Sequence, residues 1–222
     1  MLPKNLTPNA TRMRRMMDAV RARGVEDARV LEALARVPRE LFVSRALAVD
    51  AYDDVTLPIG EQQTISMPSV VGFMTQSLGL KGTEKVLEIG TGCGYQTALL
   101  CRLARRVYTI ERLDRLSKTA QERLTHMGHT NFVAMVGDGT LGWPAQAPFE
   151  AIMVTAAGPK VPPALVAQLA VGGRLVIPVG PTETDQRLLR ITKTSDTSTR
   201  EEVLGKVVFV PLVGVQGVAA SK

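Results

Sequence analysis

A doubly wound, mostly parallel α/β sheet is the fold the sequence predicts, and three observations predict it. From residue 84 onward, short apolar strands alternate with helical segments, the pattern of right-handed βαβ crossovers. In "VLEIGTGCGYQT", residues 86–97, a β-branched run breaks into glycines at every second position, where the first of these strands hands over to a helix. The next strand, "VYTIE", closes on an acid, Glu111, 21 residues past the first of those glycines. The chain of 222 residues, 45% hydrophobic, suits one globular domain with a buried core.

Ahead of the sheet the chain reads as helical. Thr7-Pro8 looks like an N-cap followed by a proline in the first turn. Beyond it Met13, Met16, Met17 and Val20 fall on one helical stripe. A second helix is expected over residues 26–36, with Ala28, Leu31, Leu34 and Ala35 inward and Pro38 ending it. Residues 51–66, "AYDDVTLPIGEQQTIS", are polar, hold Pro58 and Gly60, and show neither period, so they are expected to form a loop. Ser66 and Pro68 then open a helix bearing Val70, Val71, Phe73, Met74 and Leu78.

The regular part follows as "KVLEI", the helix "YQTALLCRLA", "RVYTIE", the helix "LDRLSKTAQERLTHMG", "NFVAMVG", "EAIMVTAA", the helix "PPALVAQLA" and "RLVIPVG". The tail carries "QRLLRITKT" and "EEVLGKVVFVPL" with only a polar connection, expected as an antiparallel pair at a sheet edge. The single domain is thereby divided into an N-terminal helical extension (1–50), an active-site loop and helix (51–83), a cofactor-binding βα core (84–180) and C-terminal antiparallel strands with a tail (181–222).

Composition narrows the function. No apolar run reaches the roughly 18 to 20 residues of a membrane helix, and the basic N-terminus lacks the apolar region of a secretory signal. Cys93 and Cys101 have no metal-ligand spacing and read as reduced thiols of a cytoplasmic protein; no metal site is expected. The net charge is +6, but Lys4, Arg12, Arg14, Arg15, Arg21 and Arg23 stand against Asp18 alone in residues 1–23. A near-neutral body offers no broad phosphate-binding face, so nucleic acid is not the expected partner. His126 and His129, far in sequence from the glycine turn, read as structural or exposed.

Gly90, Gly92 and Gly94 sit where ligands bind in open α/β sheets. A dinucleotide site asks for G-x-G-x-x-G, whereas Tyr95 occupies the third glycine's place. Glu88, two residues before the turn, is expected to point at the helix N-terminus, repelling a pyrophosphate and suiting a ligand with ammonium and sulfonium groups. S-adenosyl-L-methionine is therefore preferred over NAD. Glu111 stands at the spacing of an acid that grips ribose hydroxyls. Asp138, in "VGDGT", follows the third strand at the same edge, as a turn acid or an adenine contact.

These segments resemble the protein-L-isoaspartate (D-aspartate) O-methyltransferases, a class I S-adenosylmethionine-dependent family. The resemblance rests on "LPIGEQQTISMP" (57–68), "VLEIGTGCGYQTALL" (86–100), "VYTIER" (107–112), "GDGTLGW" (137–143), "APFEAIMVTAA" (147–157), "QLAVGGRLVIPVG" (168–180) and "VVFVPL" (207–212). They run in family order and cover nearly all of residues 30 to 212. The resemblance implies a Rossmann-like core in which Glu88, Gly90 and Gly92 line the methionine end of the cofactor, Glu111 holds the ribose, and Asp138 with Gly139 holds the adenine. It places Thr64, Ile65 and Ser66 beside the methyl-transfer point, Ser66 at the family's active-site serine, and Phe209, Val210, Pro211 and Leu212 on the substrate peptide. The implied reaction is esterification of the α-carboxyl of L-isoaspartyl residues in damaged proteins; the ester then closes to a succinimide that can reopen to aspartate. Tolerance for D-aspartyl sites stays open. Two departures stand out: Gln62 where the family often has glycine before Q-T-I-S, and Met67 where a smaller or polar residue is usual.

A carboxylate with a pKa of about 4 is ionised at neutral pH and needs no catalytic base. Positioning alone supplies roughly 7 to 11 kcal/mol of barrier reduction. Ser66 is also a good N-cap, worth about 1 kcal/mol, and a helix N-terminus attracts anions. It is expected to orient the substrate carboxylate rather than act as a covalent nucleophile. Rival readings fare worse. Amino methyltransferases carry N-P-P-Y or D-P-P-Y where this chain has "VTAAG", and neither cysteine follows a proline as a cytosine-C5 enzyme requires. The alternatives are a class I methyltransferase with another acceptor, small molecule or nucleic acid, and a non-catalytic cofactor-binding module, against which intact Glu88, Glu111, Asp138 and Ser66 speak. The expected partners are isoaspartyl proteins and peptides, met by a monomer.

Overall fold

The computed structural model describes residues 10–182 and 184–219. The Thr7-Pro8 cap lies outside them. Helix α1 (Ala10–Ala22) buries Met16, Met17 and Val20, with Met13 half-buried, on the expected stripe. Helix α2 (Ala28–Arg36) starts at Asp27, whose carboxylate accepts from the N–H groups of Arg29 and Val30. Its inward face is Val30, Ala33 and Leu34; Ala28 and Ala35 are exposed. Leu34 and the half-buried Leu31 face the core as expected, while Val30 and Ala33 take the inward places expected of Ala28 and Ala35.

Residues 51–66 are more than a loop. Strands β1 (Leu57–Gly60) and β2 (Gln63–Ile65) form an antiparallel hairpin. Its turn holds Glu61 (φ 50°) and Gln62 (φ 56°), both left-handed, as a tight hairpin turn demands. The strands are too short to show a period of two. Helix α3 (Pro68–Leu78) follows, capped at its C-terminus by Gly79.

The core then builds as β3 (Lys85–Ile89), α4 (Tyr95–Leu103), β4 (Arg106–Glu111), α5 (Asp114–His126), β5 (Phe132–Val136), β6 (Phe149–Val154), α6 (Pro163–Ala167), β7 (Leu169–Val179), β8 (Gln186–Lys193) and β9 (Thr199–Val207). The order across the sheet is β5-β4-β3-β6-β7-β8-β9. Pairings from β5 through β7 are parallel, while β8 runs antiparallel to both β7 and β9. The order reverses between β4 and β6 on either side of β3, the switch point where a crevice opens beyond the strands' carboxyl ends.

Alternation along the strands splits the core in two. Val86, Val107, Met153 and Val176 face a cluster with Met16, Leu34, Val70 and Leu99; Leu87, Ile89, Ile152 and Leu175 face a second cluster with Leu165. The expected strand over 201–212 stops at Val207. Gln186 explains the departure: its buried side-chain amide donates to the Phe209 carbonyl and accepts from the Phe209 N–H. Residues 210–212 then leave the sheet's edge to pair with Ala157, through Ala157 N–H to Val210 O and Leu212 N–H to Ala157 O, both 2.8 Å.

Candidate active site

Beyond the carboxyl ends of β3, β4 and β6 lies a cavity, at the place where ligands bind in open α/β sheets. Thr64, Ile65, Ser66, Gly90, Gly92, Glu111, Gly139 and Phe209 through Leu212 all stand on its walls. The sheet supplies the floor because β3, β4 and β6 end together there. The β1–β2 hairpin and the segment after β9 close opposite sides.

The glycine turn presents backbone to this cavity. Gly90 has φ 94°, and a Cβ built on it would meet Thr155 Oγ1 at 2.3 Å. Gly92 has φ 54° and donates its N–H to Glu111 Oε2 at 2.9 Å. The other oxygen of Glu111 accepts from Leu113 N–H at 3.0 Å. The carboxylate is thereby fixed from both sides, and each oxygen retains a lone pair for a vicinal diol. A nearly buried carboxylate, side-chain-free backbone and apolar walls from Ile89 and Ile110 fit a nucleoside bearing an amino-acid chain.

Two expected cofactor residues stand elsewhere. Glu88 does not line the cavity. Odd-numbered residues of β3 face the second cluster, so Glu88 points the other way, against α4, and is fully buried. Its Oε2 accepts from the Thr97 and Thr109 hydroxyls at 2.5 and 2.6 Å, and Oε1 has no partner among the described residues. Burial raises its pKa, the two hydroxyls pull it back, and the net result is a carboxyl pushed up to about 8. It therefore presents no carboxylate to the helix N-terminus, and discrimination against a pyrophosphate rests on Tyr95 in place of glycine. Asp138 is likewise absent from the wall. Its Oδ1 accepts from the Thr140 N–H and hydroxyl at 2.8 and 2.6 Å, and its Oδ2 from Val215 N–H at 2.7 Å. Gly139, next to it, carries that stretch into the cavity.

Ser66 also differs from expectation. Met67 occupies the cap position of α3 and makes no side-chain bond, while Asp54 Oδ1 accepts from Ser69 N–H at 2.9 Å. An acid 15 residues upstream thus caps the helix, which leaves the Ser66 hydroxyl without a hydrogen bond among the described residues. The Ser66 carbonyl is held instead by Arg39, which sequence reasoning missed. Fully buried, its guanidinium donates to Ala51 O (2.6 Å), Val55 O (2.9 Å) and Ser66 O (3.0 Å), and sits over the Tyr95 ring at 6.0 Å. Burial lowers its pKa while Tyr95, Cys93 and Asp54 act in the opposite sense; a guanidinium stays charged regardless. No ion-pairing carboxylate lies within reach among the described residues, so a buried positive charge stands directly behind Ser66. The signal available in sequence was an arginine after Pro38 in an otherwise apolar stretch, which reads as surface. Thr155, also missed, ends β6 at the cavity and donates its hydroxyl to Gly90 O at 2.7 Å.

A second, open groove of about 1,240 Å³ meets the cavity. Thr64, Ser66, Thr155 and Phe209 through Pro211 belong to both.

A family profile described as protein-L-isoaspartate(D-aspartate) O-methyltransferase matches residues 11–217. The protein-L-isoaspartate O-methyltransferase of Trichlorobacter lovleyi is 54% identical over 207 residues, covering 93% of this chain and 94% of its own length. That of Protochlamydia amoebophila is 51% identical over 198 residues, covering 89% and 94%. A solved structure of a protein-L-isoaspartate O-methyltransferase superposes with a TM-score of 0.83 at 26% identity, over 92% of this chain and 67% of its own.

Proposed function

The chain belongs to the protein-L-isoaspartate (D-aspartate) O-methyltransferase family, and from that premise we propose how its own residues esterify an isoaspartyl carboxyl. The activity is that of an S-adenosylmethionine-dependent enzyme that starts the repair of isoaspartyl proteins. Glu111 would hold the ribose hydroxyls, and the backbone of Gly90, Gly92 and Gly139 would lie against the rest of the cofactor. When bound, S-adenosylmethionine supplies an electrophilic methyl group. Ser66 donates its hydroxyl to the substrate carboxylate, and the buried Arg39 charge behind it favours the ionised acceptor. Phe209 to Leu212, fixed by Gln186 and Ala157, hold the peptide. No residue has to remove a proton, so the chemistry consists of alignment and exclusion of water. We further take the protein to act in the cytoplasm as a monomer, with protein and peptide rather than nucleic acid or membrane as its partner.

One observation carries this assignment: the Ser66 hydroxyl, unengaged among the described residues, sits where the cavity beyond β3, β4 and β6 meets the second groove. Ser66→Ala removes no helix cap, so its effect is on acceptor positioning. It is expected to lower kcat for an isoaspartyl peptide about 10- to 100-fold, the value of one hydrogen bond to a charged group, with the Kd for S-adenosylmethionine unchanged. Labelled methyl transfer together with calorimetric cofactor binding reads both. Full activity in the variant would remove Ser66 from the mechanism.

A further inference from the structure

The open groove has a charge that neither the family's reaction nor the cofactor requires. Four charged side chains line it among the described residues: Arg23, Glu61, Arg112 and Lys206. Glu61 is engaged by Arg115 at 3.2 Å. Arg23, Arg112 and Lys206 have no counter-ion within ion-pairing distance among the described residues. The three cations come from separate parts of the chain: the residue after α1, the residue after β4 and the penultimate residue of β9. They line one groove, whose wall also includes Ser66. The groove's volume of about 1,240 Å³ is above the roughly 300–1,000 Å³ of small-molecule pockets, so it suits an extended segment of chain. Val208, 76% exposed beside Lys206, adds an apolar contact at the rim.

We infer that this groove selects isoaspartyl segments flanked by acidic residues, with Arg23 and Lys206 as the specificity-determining side chains and Arg112 supporting them from the cavity mouth. The inference rests on Ser66 marking the acceptor position. An isoaspartyl residue seated there extends its chain along the groove in both directions, and glutamate or aspartate at neighbouring positions would face unpaired cations. Lysine at the same positions would meet like charge. The preference belongs mainly to KM and to low ionic strength, since exposed pairs are screened beyond a Debye length.

The test uses two isoaspartyl peptides that differ only in having glutamates or lysines on both sides of the isoaspartyl residue. Both are methylated by the wild-type enzyme and by the Arg23→Glu/Lys206→Glu variant; Arg112 is left in place because it also touches the cofactor cavity. The readout is the ratio of kcat/KM between the two peptides on one enzyme preparation, from which any loss of folded protein cancels. At about 20 mM salt the wild type is expected to favour the glutamate peptide about five- to tenfold, and at about 500 mM to lose most of that preference. The variant is expected to favour the lysine peptide. Equal kcat/KM at low salt, a preference for lysine in the wild type, or a glutamate preference that survives in the variant would each overturn the inference. Fluorescence anisotropy of the same peptides separates it from the acceptor assignment. Preferential binding of the glutamate peptide without methyl transfer would uphold the groove and reject Ser66 as the acceptor position.

Discussion

Glu88 carries the clearest residue-scale lesson, because its neighbours in sequence made it look like a ligand. Strand parity decides otherwise: Leu87 and Ile89 point to one layer, so Glu88 must point to the other, where α4 and β4 offer it only the Thr97 and Thr109 hydroxyls. Parity was legible from the pattern alone; the position of the threonines was not, since they come from other elements. The consequence is a pH dependence. With its carboxyl raised from 4.5 to about 8, the folded state holds a proton that the unfolded chain releases above its own pKa. Glu88 therefore favours folding below pH 4.5, and that contribution is lost as pH rises through about 8. Glu88→Gln keeps the shape and an acceptor for both hydroxyls but cannot ionise. The difference in Tm between variant and wild type, followed by calorimetry across this range, is expected to widen in favour of the variant up to about pH 8 and then level off. Because the side chain is off the cavity wall, cofactor affinity should hardly change.

At the scale of elements, the hairpin and the segment around it decide whether Ser66 is where the chemistry needs it. Arg39 ties together Ala51, Val55 and Ser66, so one buried fork fixes both ends of the stretch before α3. Lysine in that place keeps the charge but not the planar fork. Arg39→Lys is expected to strand at least one buried carbonyl, costing about 2–4 kcal/mol of stability, and to lower kcat for isoaspartyl peptides more than it weakens cofactor binding. Chemical denaturation and steady-state kinetics of the same preparation check both parts. None of this was visible in residues 51–66 themselves, because the hairpin strands are too short for a period and their organiser lies upstream. Gln62 illustrates the limit differently. Its left-handed φ of 56° explains why glycine suits that position, yet the sequence alone showed only a substitution. By contrast, strands β3 to β7 and the helices between them were legible because each carries its own apolar period and its own turn signals.

For the whole molecule, the parallel sheet gathers residues 59, 63–66, 89–92, 110–112, 139, 155 and 209–213 at one edge, though the chain separates them by up to 150 residues or so. The site at the carboxyl edge of the sheet was foreseeable from the strand–helix alternation. The final closure was not, since it depends on the tail returning to the third strand's turn. There Val215 N–H bonds Asp138, Gln216 N–H bonds the Thr140 hydroxyl at 3.1 Å, and Gln216 Oε1 accepts from Ala164 N–H at 3.1 Å.

That clasp bears on how the enzyme itself ages. Asp138-Gly139 is the only Asp-Gly pair in a sequence that contains no Asn-Gly, and aspartate before glycine is where a backbone nitrogen most easily closes on a side-chain carboxyl. Closure needs a mobile carboxyl that can shed an oxygen. Here burial works against ionisation, but hydrogen bonds from Thr140 and Val215 outweigh it and hold the carboxyl below the usual carboxylate range. It stays charged, pinned and a poor electrophile. A chain ending at residue 213 lacks the Val215 donor, and on prolonged incubation it is expected to accumulate isoaspartate at position 138 faster than the full chain, as read by peptide mapping. Equal rates would relieve the tail of this duty. A repair enzyme would otherwise carry, beside its own cofactor cavity, the lesion it exists to correct.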